Sequence, residues 1–152
     1  MELLLTKTPQ GYLIPSDEAE AEKMKRFKVG GTIRAKVAQM RNYKFHKKFF
    51  AMLDVGFDAW EPSEKEHKGL PVQKNKERFR KDCIIAGGFY EPVVNLRGEV
   101  RAEAKSISFA SMEEEEFEKV YSAVADVILQ RVLRNYTRAD LDRVVHQILG
   151  FV

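Results

Sequence analysis

RNYKFHKKFFAMLDVGFDAW, residues 41–60, decides how the rest of the chain folds. Phe45, Phe49, Met52, Leu53, Gly56, Phe57 and Trp60 recur at steps of 4, 3, 1, 3, 1 and 3, which is the spacing of a helix with one face toward a core. The spacing predicts a central amphipathic helix over 42–60, with Asn42 as its N-cap. Lys44, Lys47 and Lys48 project from the opposite side. Lys44 and Lys48 stand one turn apart with like charge, mildly unfavourable for the helix by itself. Such a face suits an anionic partner or is a plain solvated lysine face. His46 lies on the margin of the apolar stripe, the place of a partly buried structural histidine rather than a catalytic one.

Outward from this stretch the charge is polarised. The whole chain of 152 residues carries +3. Arg34 to Lys81 holds 13 Lys and Arg against 6 Asp and Glu, a local +7 that leaves −4 elsewhere. Arg34 to Lys48 has six basic residues and no acid. Basic residues interleaved with Tyr43, Phe45 and His46 suit nucleic acid, because Lys and Arg neutralise phosphates while rings stack on unpaired bases. Phe45 belongs to the core by its spacing, so Tyr43 is the stacking candidate. Charge asymmetry equally serves a protein that seizes an acidic protein. The expected nucleic-acid contacts are Arg34, Lys36, Arg41, Asn42, Tyr43, Lys44, Lys47 and Lys48, with a secondary basic patch at Lys74, Lys76, Arg80 and Lys81.

Before the central helix, a hairpin is expected from Glu2 to Lys7 and Tyr12 to Ile14 around Thr8-Pro9-Gln10-Gly11. Pro15-Ser16-Asp17 caps a helix to about Phe27, with its acids early and its bases late. Thr32 to Ala38 alternates polar and apolar residues, the pattern of a half-buried strand. That strand would place Arg34 and Lys36 on one exposed face beside the basic start of the central helix.

After Trp60, residues 61–75 show no period and read as a long loop, a class that is often functional or mobile. Asn75 caps a helix to Ala86, with Phe79, Cys83, Ile84 and Ala86 inward. A second hairpin follows, Phe89 to Val94 and Glu99 to Ile107, in which Ala102 and Ala104 leave room for a helix and Pro92 marks an edge. Ser111 with Glu114 reads as a capping box for a long helix to about Asn135, and Thr137 with Asp140 as another for the last helix. The sum is one α+β domain over 1–152: two hairpins or a small mixed sheet packed with a central amphipathic helix and two C-terminal helices.

Catalytic constellations are missing. Gly30-Gly31 and Gly87-Gly88 are helix stops rather than phosphate loops, and no cofactor motif or paired-cysteine metal motif occurs. Asp54 and Asp58, with Asp82 and His67, are the one set that would hold a divalent ion for a nuclease; no enzyme activity and no metal are expected. Cys83, the lone cysteine, is expected as a small buried hydrophobe. No stretch is apolar enough for a signal or a membrane span, so the protein is expected in the cytoplasm with no membrane partner.

The string Arg41-Asn42, Phe45-His46, Lys48-Phe49-Phe50-Ala51, Leu53 and Trp60 resembles a family of small phage and prophage proteins classed as a domain of unknown function. The segment PSDEAEAEKMKRFKVGG, residues 15–31, and the stretch after it fit the same family. More distantly the motif resembles the phage Orf (NinB) proteins, diverging from them at Lys47-Lys48-Phe49. That resemblance implies a recombination mediator that forms a ring-like homodimer, prefers single-stranded DNA and contacts the host single-strand-binding protein.

Overall fold

The computed structural model describes residues 1–39, 42–108 and 111–150. Within these the chain is α+β, with five helices and three two-stranded antiparallel sheets. It forms two compact units, Met1–Val37 and Ala38–Val152.

In the first unit, β1 (Leu5–Lys7) pairs with β2 (Leu13–Pro15), Thr6 opposite Ile14. The turn closes because Gly11, at φ +92°, lets its N–H reach Thr8 O at 2.9 Å. Asp17 caps α1 (Glu18–Met24) by accepting from Glu20 N–H. Glu20 is 5% exposed, and its carboxylate accepts from Leu4 N–H at 2.9 Å and from Lys23 Nζ at 2.6 Å, which ties α1 to the hairpin. Beyond Met24 the chain continues as i→i−3 turns to Phe27. The strand expected over Thr32 to Ala38 does not form. Ile33 and Val37 are 49% and 71% exposed. Alternation marks a strand only where a partner ladder and a covering layer complete it, and this stretch has no ladder.

The second unit is built on α2 (Tyr43–Ala59). Phe49 and Met52 are fully buried. α3 (Lys76–Ala86), α4 (Glu114–Arg131) and α5 (Arg138–Gly150) surround that face. Phe49 meets Phe117 edge-on at 5.4 Å, and Phe45 meets it at 5.0 Å. At the far end a Cβ on Gly56 would stand 3.1 Å from Ile128 Cδ1, so α2 and α4 run side by side in the same sense. Asn75 caps α3 as expected, and Phe79, Cys83 and Ile84 are buried, although Ala86 is exposed. The hairpin β5 (Tyr90–Val94) and β6 (Val100–Ala104) lies in register Pro92 to Ala102, with β6 against α3.

Three boundaries depart from expectation. Residues 61–75 are not irregular throughout: β3 (Glu66–His67) and β4 (Leu70–Pro71) form a short hairpin, turned by Lys68 and Gly69, both at positive φ. The Ser111 and Glu114 capping box is absent. The helix starts at Glu114 with no side-chain cap, and Ser111 instead accepts from the Ser108 hydroxyl at 2.9 Å while Met112 is buried. Three acids in the first turn of α4 support that end through the helix dipole. α4 stops at Arg131 rather than Asn135 because Leu133 folds back, its N–H on Ile128 O at 2.8 Å, and is buried. The Thr137 and Asp140 box does form: Thr137 N–H donates to Asp140 and Asp140 N–H to the Thr137 hydroxyl.

Candidate nucleic-acid interface

Asn42, extended at φ −134°, accepts from Phe45 N–H at 3.1 Å and so starts α2. With Phe45, Phe49 and Met52 turned into the core, the helix period leaves Lys44 facing solvent. Lys47 Nζ stands 4.6 Å from the centroid of the Tyr43 ring, which remains exposed. Lys48 is half-buried, its Nζ 5.1 Å from the Tyr121 ring. No acid occupies the first turn. Among the described residues neither Lys44 nor Lys48 has a carboxylate partner. Elsewhere many helix cations are paired: Lys23 with Glu20 on α1, Lys25 at its C-cap with Glu22, Lys119 with Glu115 on α4, Arg143 with Asp140 on α5.

The secondary basic patch is engaged within the fold. Lys74 Nζ donates to Phe57 O at 2.6 Å and Trp60 O at 2.8 Å, closing the C-terminus of α2, and lies 4.6 Å from the Phe57 ring. A cation there meets the negative end of the helix dipole. Lys76 bonds Asp54 at 2.9 Å, and this bond, the largest influence, raises its pKa. Lys81 and Arg80 share Glu77 at 3.5 and 3.7 Å, and Arg78 pairs with Asp82 at 2.9 Å.

Arg34 and Lys36 are exposed in the first unit, outside any strand, while Tyr43, Lys44, Lys47 and Lys48 belong to the second. Arg41 lies outside the described residues. Asn42 spends its side-chain oxygen on the cap. His46 is half-buried, its ring 4.7 Å from Phe50 and stacked on Phe117 at 6.2 Å. The Cys83 thiol is buried, and desolvation pushes its pKa up to about 12. Asp54 and Asp82 spend their charge on Lys76 and Arg78, and among the described residues no three His, Cys, Asp or Glu side chains are grouped to hold a metal ion. None of the described helices is long and apolar enough to cross a membrane.

Two features escaped the sequence. The capping role of Lys74 joins positions 14 and 17 residues apart, and no local pattern announces such a pair. Arg138 brings its guanidinium carbon to 5.6 Å from the Tyr121 ring. Its only local signal was its place as the first residue of α5.

A family model described as "Protein of unknown function (DUF1367)" matches residues 1–67 and 63–151. No curated protein and no solved structure matches the chain.

Proposed function

The chain belongs to the DUF1367 family, and from the surface of α2 we propose that it is a phage or prophage DNA-binding accessory protein that takes single-stranded DNA in recombination or replication. The observation that carries this reading is that Lys44 and Lys48 on α2 have no carboxylate partner among the described residues and that no acid stands in the first turn of the helix. Lysines near a helix N-terminus oppose the dipole by about 0.3–1 kcal/mol each, and the Lys44 and Lys48 pair costs a further ~0.2–0.5 kcal/mol. On the other helices carboxylates offset such costs; on α2 a bound phosphate chain would do so.

Tyr43 supports a preference for single strands. An exposed ring beside lysines stacks on a base that a duplex would withhold, at about 1–3 kcal/mol per base. The contacts proposed are to phosphates and to a ring face rather than to base edges, so affinity should ignore sequence.

The test is a titration with oligothymidylate at several salt concentrations. The log–log slope should fall with roughly 0.7 per phosphate contact, and the triple variant Lys44→Gln, Lys47→Gln, Lys48→Gln should flatten it by about 2. Magnesium should add only ionic screening, since Asp54 is held by Lys76. A wild-type slope in the triple variant removes the site from α2. Binding of an acidic peptide with no binding of DNA would instead make the lysines a protein-docking face, such as one for the acidic tail of a single-strand-binding protein.

A further inference from the structure

The hairpin of β5 and β6 is a sheet of two strands, so each strand has a free edge. Phe89 O accepts from Lys105 N–H, and Glu99 O accepts from Asn95 N–H. In an antiparallel ladder bonded and non-bonded pairs alternate, so Glu91 with Glu103 and Val93 with Arg101 are the bonded pairs. The backbone N–H and C=O groups of Val100, Ala102 and Ala104 therefore point outward from β6. On β5 the middle outward residue is Pro92, which has no N–H and blocks that edge. The β6 edge has no such guard. α3 approaches its second half, yet Val100 to Glu103 are exposed and only Ala104 is half-buried. The side chains of β6 add a second fault. Glu103 lies directly opposite Glu91, a like-charge pair that destabilises an antiparallel ladder. Among the described residues neither Glu103 nor Arg101 has an ion-pair partner.

We propose that the chain forms a homodimer in which β6 pairs antiparallel with β6 of a second copy, about a two-fold axis at Ala102. Ala102 then faces Ala102 of the second copy as a bonded pair, and Val100 faces Ala104, so the outward backbone groups of β6 are all satisfied. In that register Arg101 stands opposite Glu103 of the second copy, and Glu103 opposite its Arg101. Both fall at non-bonded positions, where facing side chains are closest. Each Glu103 gains an arginine on the side away from Glu91. The charges also fix the register. A slide of two residues sets Arg101 against Arg101 or Glu103 against Glu103. A slip of one sets Ala102 against a residue whose backbone is already bonded to β5. A ribbon of two strands is marginal by itself, and the dimer replaces two such ribbons by one sheet of four strands. The inference does not rest on the DNA reading, whose lysines lie on α2.

The experiment is sedimentation of the full chain at concentrations from about 10 μM to about 1 mM. Wild type is expected to pass reversibly from monomer to dimer over this range. Arg101→Glu sets carboxylate against carboxylate across the axis, and Glu103→Arg sets cation against cation. Each variant alone should weaken the dimer about tenfold or more. The two mixed in equal amounts should form a heterodimer, and the chain carrying both substitutions should dimerise as wild type does, because opposite charges face each other again in both cases. Glu103→Arg also relieves the repulsion with Glu91, so its loss of association does not reflect a weakened hairpin; its melting temperature, which should not fall, checks this. A wild type that stays monomeric throughout the range overturns the inference. So does a dimer that both single variants leave intact, since it must use another surface, and so does a mixture that associates no better than either variant alone.

Discussion

Helices α2 and α3 are both basic, and both begin at an asparagine that caps through its side chain. They differ in what surrounds their cations. Along α3, Arg78, Arg80 and Lys81 each have a carboxylate one turn away, and Lys76 reaches across to Asp54. Along the first half of α2, Lys44 and Lys48 have none among the described residues. Counted as charge the two stretches look alike. Counted as unspent charge they are opposites, and only unspent charge attracts an anionic partner, because a carboxylate beside a cation repels the arriving phosphate and cancels much of the attraction. The difference teaches that a basic segment is a candidate site only after its internal pairs have been subtracted.

The comparison can be broken most directly by removing its platform. Phe49 is fully buried against Phe117, so Phe49→Ala should cost about 3–5 kcal/mol in denaturant unfolding; an unchanged midpoint would mean that α2 is not anchored as described. Next in size is the paired charge test. Replacing Lys44, Lys47 and Lys48 by Gln should lower affinity for oligothymidylate roughly ten- to a hundredfold at low salt. Replacing Lys76, Arg80 and Lys81 in the same way should leave affinity within about twofold and shift stability by less than ~1 kcal/mol in total, since exposed pairs are worth little. Equal losses in the two triple variants would erase the distinction between the helices.

Lys74 sharpens it from the other end of α2. Lys74→Met removes the Nζ donor from the carbonyls of Phe57 and Trp60, of which Phe57 keeps the Trp60 N–H, and should cost about 1–2 kcal/mol, with DNA affinity unaltered; a drop in affinity at full stability would return Lys74 to the binding surface. The smallest effect expected is at Gly56. A Cβ there meets Ile128 side-chain atoms at 3.1–3.2 Å. The crowding outweighs the ~0.5–1 kcal/mol that Ala would otherwise contribute to a helix, for a net loss of about 1 kcal/mol by thermal unfolding. A stabilised Gly56→Ala protein would show that α2 and α4 have slack between them.

What was legible in the chain was local. Asn42, Asn75 and the Thr137 and Asp140 box start their helices as expected because a cap acts on N–H groups within three residues. The stripe from Phe45 to Phe57 declared its buried side because helical spacing alone aligns those positions. The turn at Asn95 to Gly98 was equally readable: Asn95 Oδ1 accepts from Arg97 and Glu99 N–H, and Gly98 sits at φ +81°. Ser111 with Glu114 met the same kind of rule and failed, since Met112 is buried and the N–H groups of Ser111 and Met112 both donate to Ser108 O.

By itself, then, the sequence determined the five helices, the turns of the first and last hairpins and the existence of a lysine face on α2, all of which depend on contacts between near neighbours in the chain; the short hairpin at Glu66–Pro71 was not among them. Local spacing pairs Arg78, Arg80 and Lys81 with carboxylates one turn away, whereas tertiary structure decided that Lys74 and Lys76 are spent as well. The Lys76 bond to Asp54 and the Lys74 bonds to Phe57 and Trp60 span 14 to 22 residues. The meeting of Lys48, Tyr121 and Arg138 joins three helices. It decided as well that the alternating stretch 32–38 is no strand, because pairing requires a partner that alternation cannot supply. Periodicity reports which side of an element is apolar; which distant group arrives to cover or neutralise it depends on how the elements pack, and no local spacing encodes that.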